Sequence, residues 1–214
     1  MAINKKLFIK SAAGGVTPSE HFNVTLFNGN NTTVATTFNA SSEGGLFWIA
    51  NRQYANGNFL IDSVRGVTET FFGTDPSASV VRQSITAFNS SSVTVGTYTS
   101  IGSGGSGENV LWFWRGGGTA VTNTNGTTSS TISLNSDAGF SIVKTSAAGG
   151  TINVGHGLGA DIGMIILKGA DTAETWQIWH KDVGTGKYLQ LASNAQVTTR
   201  ANSFSTVNST IFEN

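Results

Sequence analysis

The chain has 214 residues, no cysteine, and 12 Lys and Arg balanced by 12 Asp and Glu. A formal net charge of zero, with only 11% charged residues, gives no basic footprint for a nucleic-acid groove or a polybasic membrane face. The lack of Cys excludes a disulfide framework, a thiolate metal site and a thiol nucleophile.

The length allows one large or two small domains, with room for a real core. Ser, Thr and Asn make up about a third of the residues and Gly is abundant, a composition that leans toward disorder. Recurrent apolar runs of β type oppose that reading, because disordered chains lack them. After Lys5-Lys6 only Leu7-Phe8-Ile9 is apolar, so no signal peptide is expected. No apolar run reaches the length of a membrane span, so no membrane insertion is expected either. The Asn-x-Ser/Thr triplets, such as Asn23-Val-Thr25, follow from composition alone.

In chain order, residues 1–21 read as an N-terminal arm. Leu7, Phe8 and Ile9 form a short strand candidate on the flexible connector SAAGGVTPS. Phe22 to Phe27 alternates, with Phe22, Val24 and Leu26 on one face. Asn28-Gly29 marks a turn, and Thr32 to Phe38 is β-prone. Gly45 to Gly66 reads as two apolar strands and their connection. Short β-type runs follow at Glu69 to Phe72, Val80 to Phe88 and Ser92 to Val95. IGSGGSG (101–107) is a loop, VLWFWR (110–115) is the most apolar short strand, and Gly116-Gly-Gly118 ends it. Residues 119–139 read as a polar connector with one Thr/Ser strand candidate, Thr127 to Leu134. FSIVK (140–144) opens a second half, with strands expected at 149–154, 163–168, 176–180, 188–191 and 204–212. No segment holds a helical period with start and stop signals. The expected fold is all-β: two tandem small β-sandwiches of jelly-roll or lectin-like type, residues 22–118 and 140–214, behind the arm.

The tandem reading rests on an internal repeat. At a gapless spacing of 118, Phe22 meets Phe140, Val34 meets Ile152, Leu46 to Ile49 meet Met164 to Leu167, Leu60-Ile61 meet Ile178-Trp179, and Val93 meets Ile211. Identities are few; the matched phase of the apolar runs carries the repeat. The second copy has no counterpart of VLWFWR within these residues. That predicts an unpaired edge, covered by Leu7, Phe8 and Ile9 or by a neighbouring subunit.

The strings FNVTLFNGN, GLFWIANR, FLIDSVRGV, VLWFWRGGGTAVTNTNG, VGHGLG with the apolar strand after it, and WQIWHKDVGTGKYLQL occur in an order that resembles the repeat domain of tail-fibre-like and other virion proteins of tailed phages, marine ones especially. The resemblance covers nearly the whole chain from Phe22, and KLFIKSAAGG resembles the opening of such proteins. It implies a non-enzymatic, β-rich protein of the virion surface. The chain departs from the pattern where Ser42-Glu43-Gly44 stands in place of a Pro before the GLFWIANR strand, and it is shorter than many members.

Motifs for catalysis are weak. His21, His156 and His180 sit in no metal-ligand spacing. No G-x-S-x-G elbow is present, and Gly155-His-Gly-Leu-Gly159 lacks the helix and the GKS/T ending of a phosphate loop. Asp62, Glu69, Asp171 and Glu174 offer carboxylates, but spacing pairs no two of them for glycoside hydrolysis. Asp161, Asp171 and Glu174 likewise define no Ca²⁺ loop. No metal or cofactor is therefore expected. Trp112 and Trp114 share a strand face with Val110, while Trp176 and Trp179 point to opposite faces. These four are the candidate surface aromatics, for sugar stacking or a subunit contact. The expectation is a structural virion protein, a tail appendage or fibre-type module. Its partners would be other virion proteins and copies of itself, with a host-surface glycan as a further partner. A head decoration protein and a glycan depolymerase stand as the alternatives.

Overall fold

The computed structural model describes residues 16–53, 58–73, 78–101, 107–146, 150–191 and 196–214. The fold is all-β, made of antiparallel sheets. The expected arm strand Leu7, Phe8 and Ile9 lies outside the described residues.

Two four-residue helices interrupt the strands. Helix α1 (Pro18–His21) starts on Pro18, whose fixed φ suits a first turn. It ends in a buried His21, so the stretch expected as an arm is docked at its C-terminal end. Helix α2 (Ala40–Glu43) is capped by Asn39, whose Oδ1 accepts from the Ser41 and Ser42 amides at 3.2 and 3.1 Å. The Glu43 carboxylate closes the cap by accepting from the Asn39 amide at 2.8 Å.

The strands of the first half are β1 (Phe22–Asn28), β2 (Thr32–Ala35), β3 (Gly45–Asn51), β4 (Phe59–Asp62), β5 (Glu69–Phe72), β6 (Val80–Val81), β7 (Ile85–Phe88), β8 (Ser92–Val95) and β9 (Glu108–Arg115). They form a six-stranded sheet in the order β1-β9-β3-β4-β5-β6 and a three-stranded sheet in the order β2-β8-β7. Alternation along β3, β4 and β9 sends Phe47, Ile49, Phe59, Ile61, Leu111 and Phe113 inward. There they meet Val34, Val93, Val95 and Ile85 from the smaller sheet. This two-sheet core is where the first half is anchored. Strand β9, distant in sequence from β1 and β3, lies between them.

The second half holds β10 (Val121–Asn123), β11 (Ser130–Asn135), β12 (Phe140–Thr145), β13 (Asn153–Gly155), β14 (Met164–Leu167), β15 (Gln177–His180), β16 (Lys187–Gln190), β17 (Thr198–Thr199), β18 (Thr206–Val207) and β19 (Ile211–Glu213). Residues 119–139, expected as a connector with one strand candidate, carry two strands, and β10-β11-β12 forms a sheet of its own. The other two sheets are β14-β15-β16-β17 and β13-β19-β18. Between them lie Val154, Ile162, Trp179, Tyr188, Phe204 and Phe212.

The ladders of the two halves coincide. Leu46 opposite Asp62 recurs 118 residues later as Met164 opposite His180, and Phe47 opposite Ile61 as Ile165 opposite Trp179. Phe59 opposite Phe72 recurs as Gln177 opposite Gln190, and Thr70 opposite Val80 as Tyr188 opposite Thr198. In the smaller sheets the spacing slips. Val34 pairs with Val93, and the buried pair in the matching place is Val154 with Phe212 rather than Ile152 with Ile211. The gapless spacing therefore misplaces these two positions by two residues and one residue.

Candidate functional site: an apolar sheet face and an open edge

Directly opposed residues of an antiparallel ladder share a face. On the six-stranded sheet, the face turned away from the core carries Phe22, Val24 and Leu26 of β1, opposite Trp114, Trp112 and Val110 of β9. Leu46 and Trp48 of β3 extend the row, opposite Trp114 and Trp112. The result is an apolar face in two parts.

One part is covered from within the chain. Trp176 reaches over β4 and β5, stacks edge-on against Phe71 with ring centroids 5.7 Å apart, and donates its indole N–H to the Phe72 carbonyl at 2.7 Å. Leu60, Phe71 and Trp176 form a small buried cluster with Leu46 and Trp48 at its rim. The Ser79 amide donates to the Ala170 carbonyl at 2.7 Å, and Lys144 lies 3.7 Å from Glu69.

The other part is open. Phe22, Val24 and Leu26 are 37%, 42% and 62% exposed, and Trp112 and Trp114 are half-buried. Phe22 lies 4.9 Å from the Trp114 ring and Trp48 meets Trp112 edge-on at 6.1 Å, so the aromatics hold one another in place. Of the four surface aromatics expected, Trp112 and Trp114 face this patch. Trp176 and Trp179 are instead buried, at 6% and 5% exposure. Trp176, just before β15, and Trp179 within it do point to opposite sides. One side is the first half's sheet and the other is the second half's own core, so both rings are largely withdrawn from solvent.

The second feature is the edge of β14. Its one partner among the described residues is β15, and Met164 and Ile166 are exposed. The Lys181 amide donates to the Gly163 carbonyl at 3.0 Å, which fixes the phase. Gly163, Ile165 and Leu167 turn their backbone groups toward β15, and Met164 and Ile166 turn theirs toward the open side.

The buried titratable groups are occupied with structure. His156 accepts from the Leu158 amide at Nδ1 (3.2 Å), and its Nε2 lies 3.1 Å from the Asn208 carbonyl. This is the pattern of a neutral ring with the proton on Nε2. Burial lowers its pKa, against a smaller opposing effect of the Asn208 carbonyl. It pins the turn of Gly155-His-Gly-Leu-Gly159, where no helix follows β13. His21 is also lowered, first by burial and then by the Arg115 charge. Asp62 is buried, pairs with Arg65, and accepts from the Val64 and Arg65 amides, each at 3.0 Å. In the matching place of the second half, His180 Nδ1 accepts from the Asp182 amide at 3.3 Å. Glu69 faces Lys144, while Asp171 and Glu174 are exposed. Among the described residues no group of three or more His, Cys, Asp or Glu could hold a metal ion. Among those same residues no helix is long and apolar enough to cross a membrane.

A family model described as a domain of unknown function, DUF7483, matches residues 17–213. The chain belongs to this family. The DUF7483 match begins at the N-cap of α1 and ends in β19, so it spans all the described strands. No curated protein and no solved structure matches the chain.

Proposed function

We propose that this protein is a non-enzymatic structural component of a tailed-phage particle, a tail-appendage or fibre-type module that joins other virion surfaces by contact. The observation that carries this reading is the open apolar face of β1 and β9. Five large apolar side chains, Phe22, Val24, Leu26, Trp112 and Trp114, stand together on a sheet rather than scattered. A contiguous apolar patch next to polar surroundings is the signature of a protein contact. Its other half is already buried under Trp176 within the chain, so the same sheet face serves as a packing surface in the folded molecule. The likeness of FNVTLFNGN, VLWFWRGGG and WQIWH to virion repeat domains supports the particle as the setting.

The half-exposed Trp112 and Trp114 favour a second reading of the same face, a platform for sugar rings of a host-surface glycan. One experiment separates the readings. Purified protein is sedimented with tail assemblies, with tail-free heads, and with host-surface polysaccharide, as wild type and as Leu26→Asp with Val24→Asp. The proposal expects co-sedimentation with tails, lost in the double variant. Binding to heads alone places the protein as a head decoration. Binding to polysaccharide alone, retained in the double variant but lost in Trp114→Ala, gives the face to a glycan.

A further inference from the structure

In the first half β3 is flanked on both sides, by β4 and by β9. In the second half β14 keeps the β4-like partner, β15, in the same register, and no described strand takes the place of β9. We infer that residues 6–10, Lys-Leu-Phe-Ile-Lys, of the same chain fill that place, running antiparallel to β14 as β9 runs to β3.

Two observations on β14's own flank point to an occupant. The first is Gly163. Its counterpart Gly45 is glycine for a visible reason: a Cβ there would lie 2.4 Å from the Trp114 carbonyl oxygen, because β9 passes so close. Gly163 has neither a neighbour within 4 Å nor a left-handed φ to account for it. A strand seated as β9 is seated would supply the missing neighbour. The second is Asp161. Its counterpart Glu43 lies 3.4 Å from Arg115, the last residue of β9. Asp161 is exposed and has no ion pair among the described residues.

The segment 6–10 answers both. With Lys10 in the position of Arg115, its ammonium faces Asp161 and its backbone faces Gly163. Ile9 then stands opposite Met164, Phe8 opposite Ile165 and Leu7 opposite Ile166, the two exposed apolar side chains of the edge being the ones covered. Phe8 takes the place of Phe113, which is fully buried opposite Phe47. It would enter the second core beside Ile165, which already packs there. The backbone groups of Met164 and Ile166 gain ladder partners in place of water.

The same-chain assignment sets a limit on the distance from α1 to the edge of β14. Helix α1 is fastened at the β11–β12 turn by His21, whose Nδ1 lies 2.9 Å from Asn135 Nδ2. The seven residues 11–17 that lead to it span up to about 24 Å, some five strand widths. The assignment holds whether or not the protein belongs to a virion.

The test uses the cysteine-free background. Ile9→Cys with Met164→Cys places two thiols on directly opposed residues about 5.5 Å apart at Cα, within disulfide reach. Mild oxidation of the full-length protein is followed by intact mass and peptide mapping. The expected product is a monomer with one internal disulfide, and adding Phe8→Asp abolishes it. A chain-to-chain disulfide overturns the same-chain assignment and gives the edge to a second copy. No disulfide overturns the inference altogether. Hydrogen exchange gives an independent reading without cysteines. The Met164 and Ile166 amides should exchange at least tenfold faster in Phe8→Asp than in wild type, while Ile165 is little changed. Equal, fast exchange in both proteins overturns the inference. Finally, Gly163→Ala should lower the Tm; an unchanged or raised Tm means nothing passes close to Gly163.

Discussion

Strands β3 and β14 carry the same ladder on one side and differ on the other. Along β3, residues alternate between buried and half-buried, because β9 shields the edge and the Trp176 cluster shields part of the outer face. Along β14 they alternate between exposed and half-buried. The core under β3 holds Phe47, Phe59, Phe113, Ile49, Ile61, Ile85 and Leu111 at 1% exposure or less. The core beneath β14 has Val154 and Phe204 at that level. One central strand thus accounts for much of the contrast: β9 brings Leu111 and Phe113 inward, and seals β1 to β3 at the same time. The lesson is that two halves with equal pairing on one edge can differ widely in how dry their cores are, according to what lies on the other edge.

The sharpest way to break this comparison is Phe113→Ala. It removes a fully buried ring from β9 and should cost about 3–5 kcal/mol, read as a drop in the urea midpoint. If β9 is the element that sets the first half apart, Trp112→Ala on the half-exposed side of the same strand costs much less. Gly45→Ala comes next. A methyl group 2.4 Å from the Trp114 carbonyl oxygen forces β3 and β9 apart, at about 1–3 kcal/mol, and serves as the matched control for Gly163→Ala. Trp176→Phe follows. It keeps an aromatic ring over Phe71 but leaves the Phe72 carbonyl without its 2.7 Å donor, at about 1–2 kcal/mol. Because that bond joins the two halves, the same variant should loosen their coupling, measured as divergence of the melting curves followed by tryptophan fluorescence and by far-ultraviolet circular dichroism.

The all-β class was legible because FNVTLF alternates while GLFWIAN and VLWFWR are short apolar runs bounded by turn residues, and each of these segments lies in a strand. The phase of the second half was legible for the same reason: the ladders of β14, β15 and β16 fall where the spacing of 118 puts them. What periodicity could not give was the partner of a strand. That β9 lies between β1 and β3 depends on a contact across most of the first half. That Trp176 and Trp179 are buried depends on two sheets meeting around one short strand. The polar run 119–139 hid β10 and gave β11 only as a Thr/Ser candidate, because their inward positions are filled by Ser and Asn as well as Ile132. Helix α2 did leave a signal, an Asn39 cap with Glu43 four residues on, between two β-prone stretches. The slip at Val154 and Phe212 shows the limit of a gapless comparison, since added residues in loops shift strands without changing their pairing.

The smallest expected effect separates the halves by pH. His156 sits in the second half and His21 against the first, both with pKa values lowered by burial. A histidine depressed in the folded state binds its proton first in the unfolded chain. Stability is therefore complete above the unfolded value of 6.5 and falls as pH drops below it, toward the lowered folded pKa. For His156 the loss has a place: protonating Nδ1 repels the Leu158 amide and loosens the turn that joins β13 to the second core. The urea midpoint of the wild type should fall between pH 7.5 and 5.5, and His156→Gln should flatten that slope while lowering the midpoint at pH 7.5.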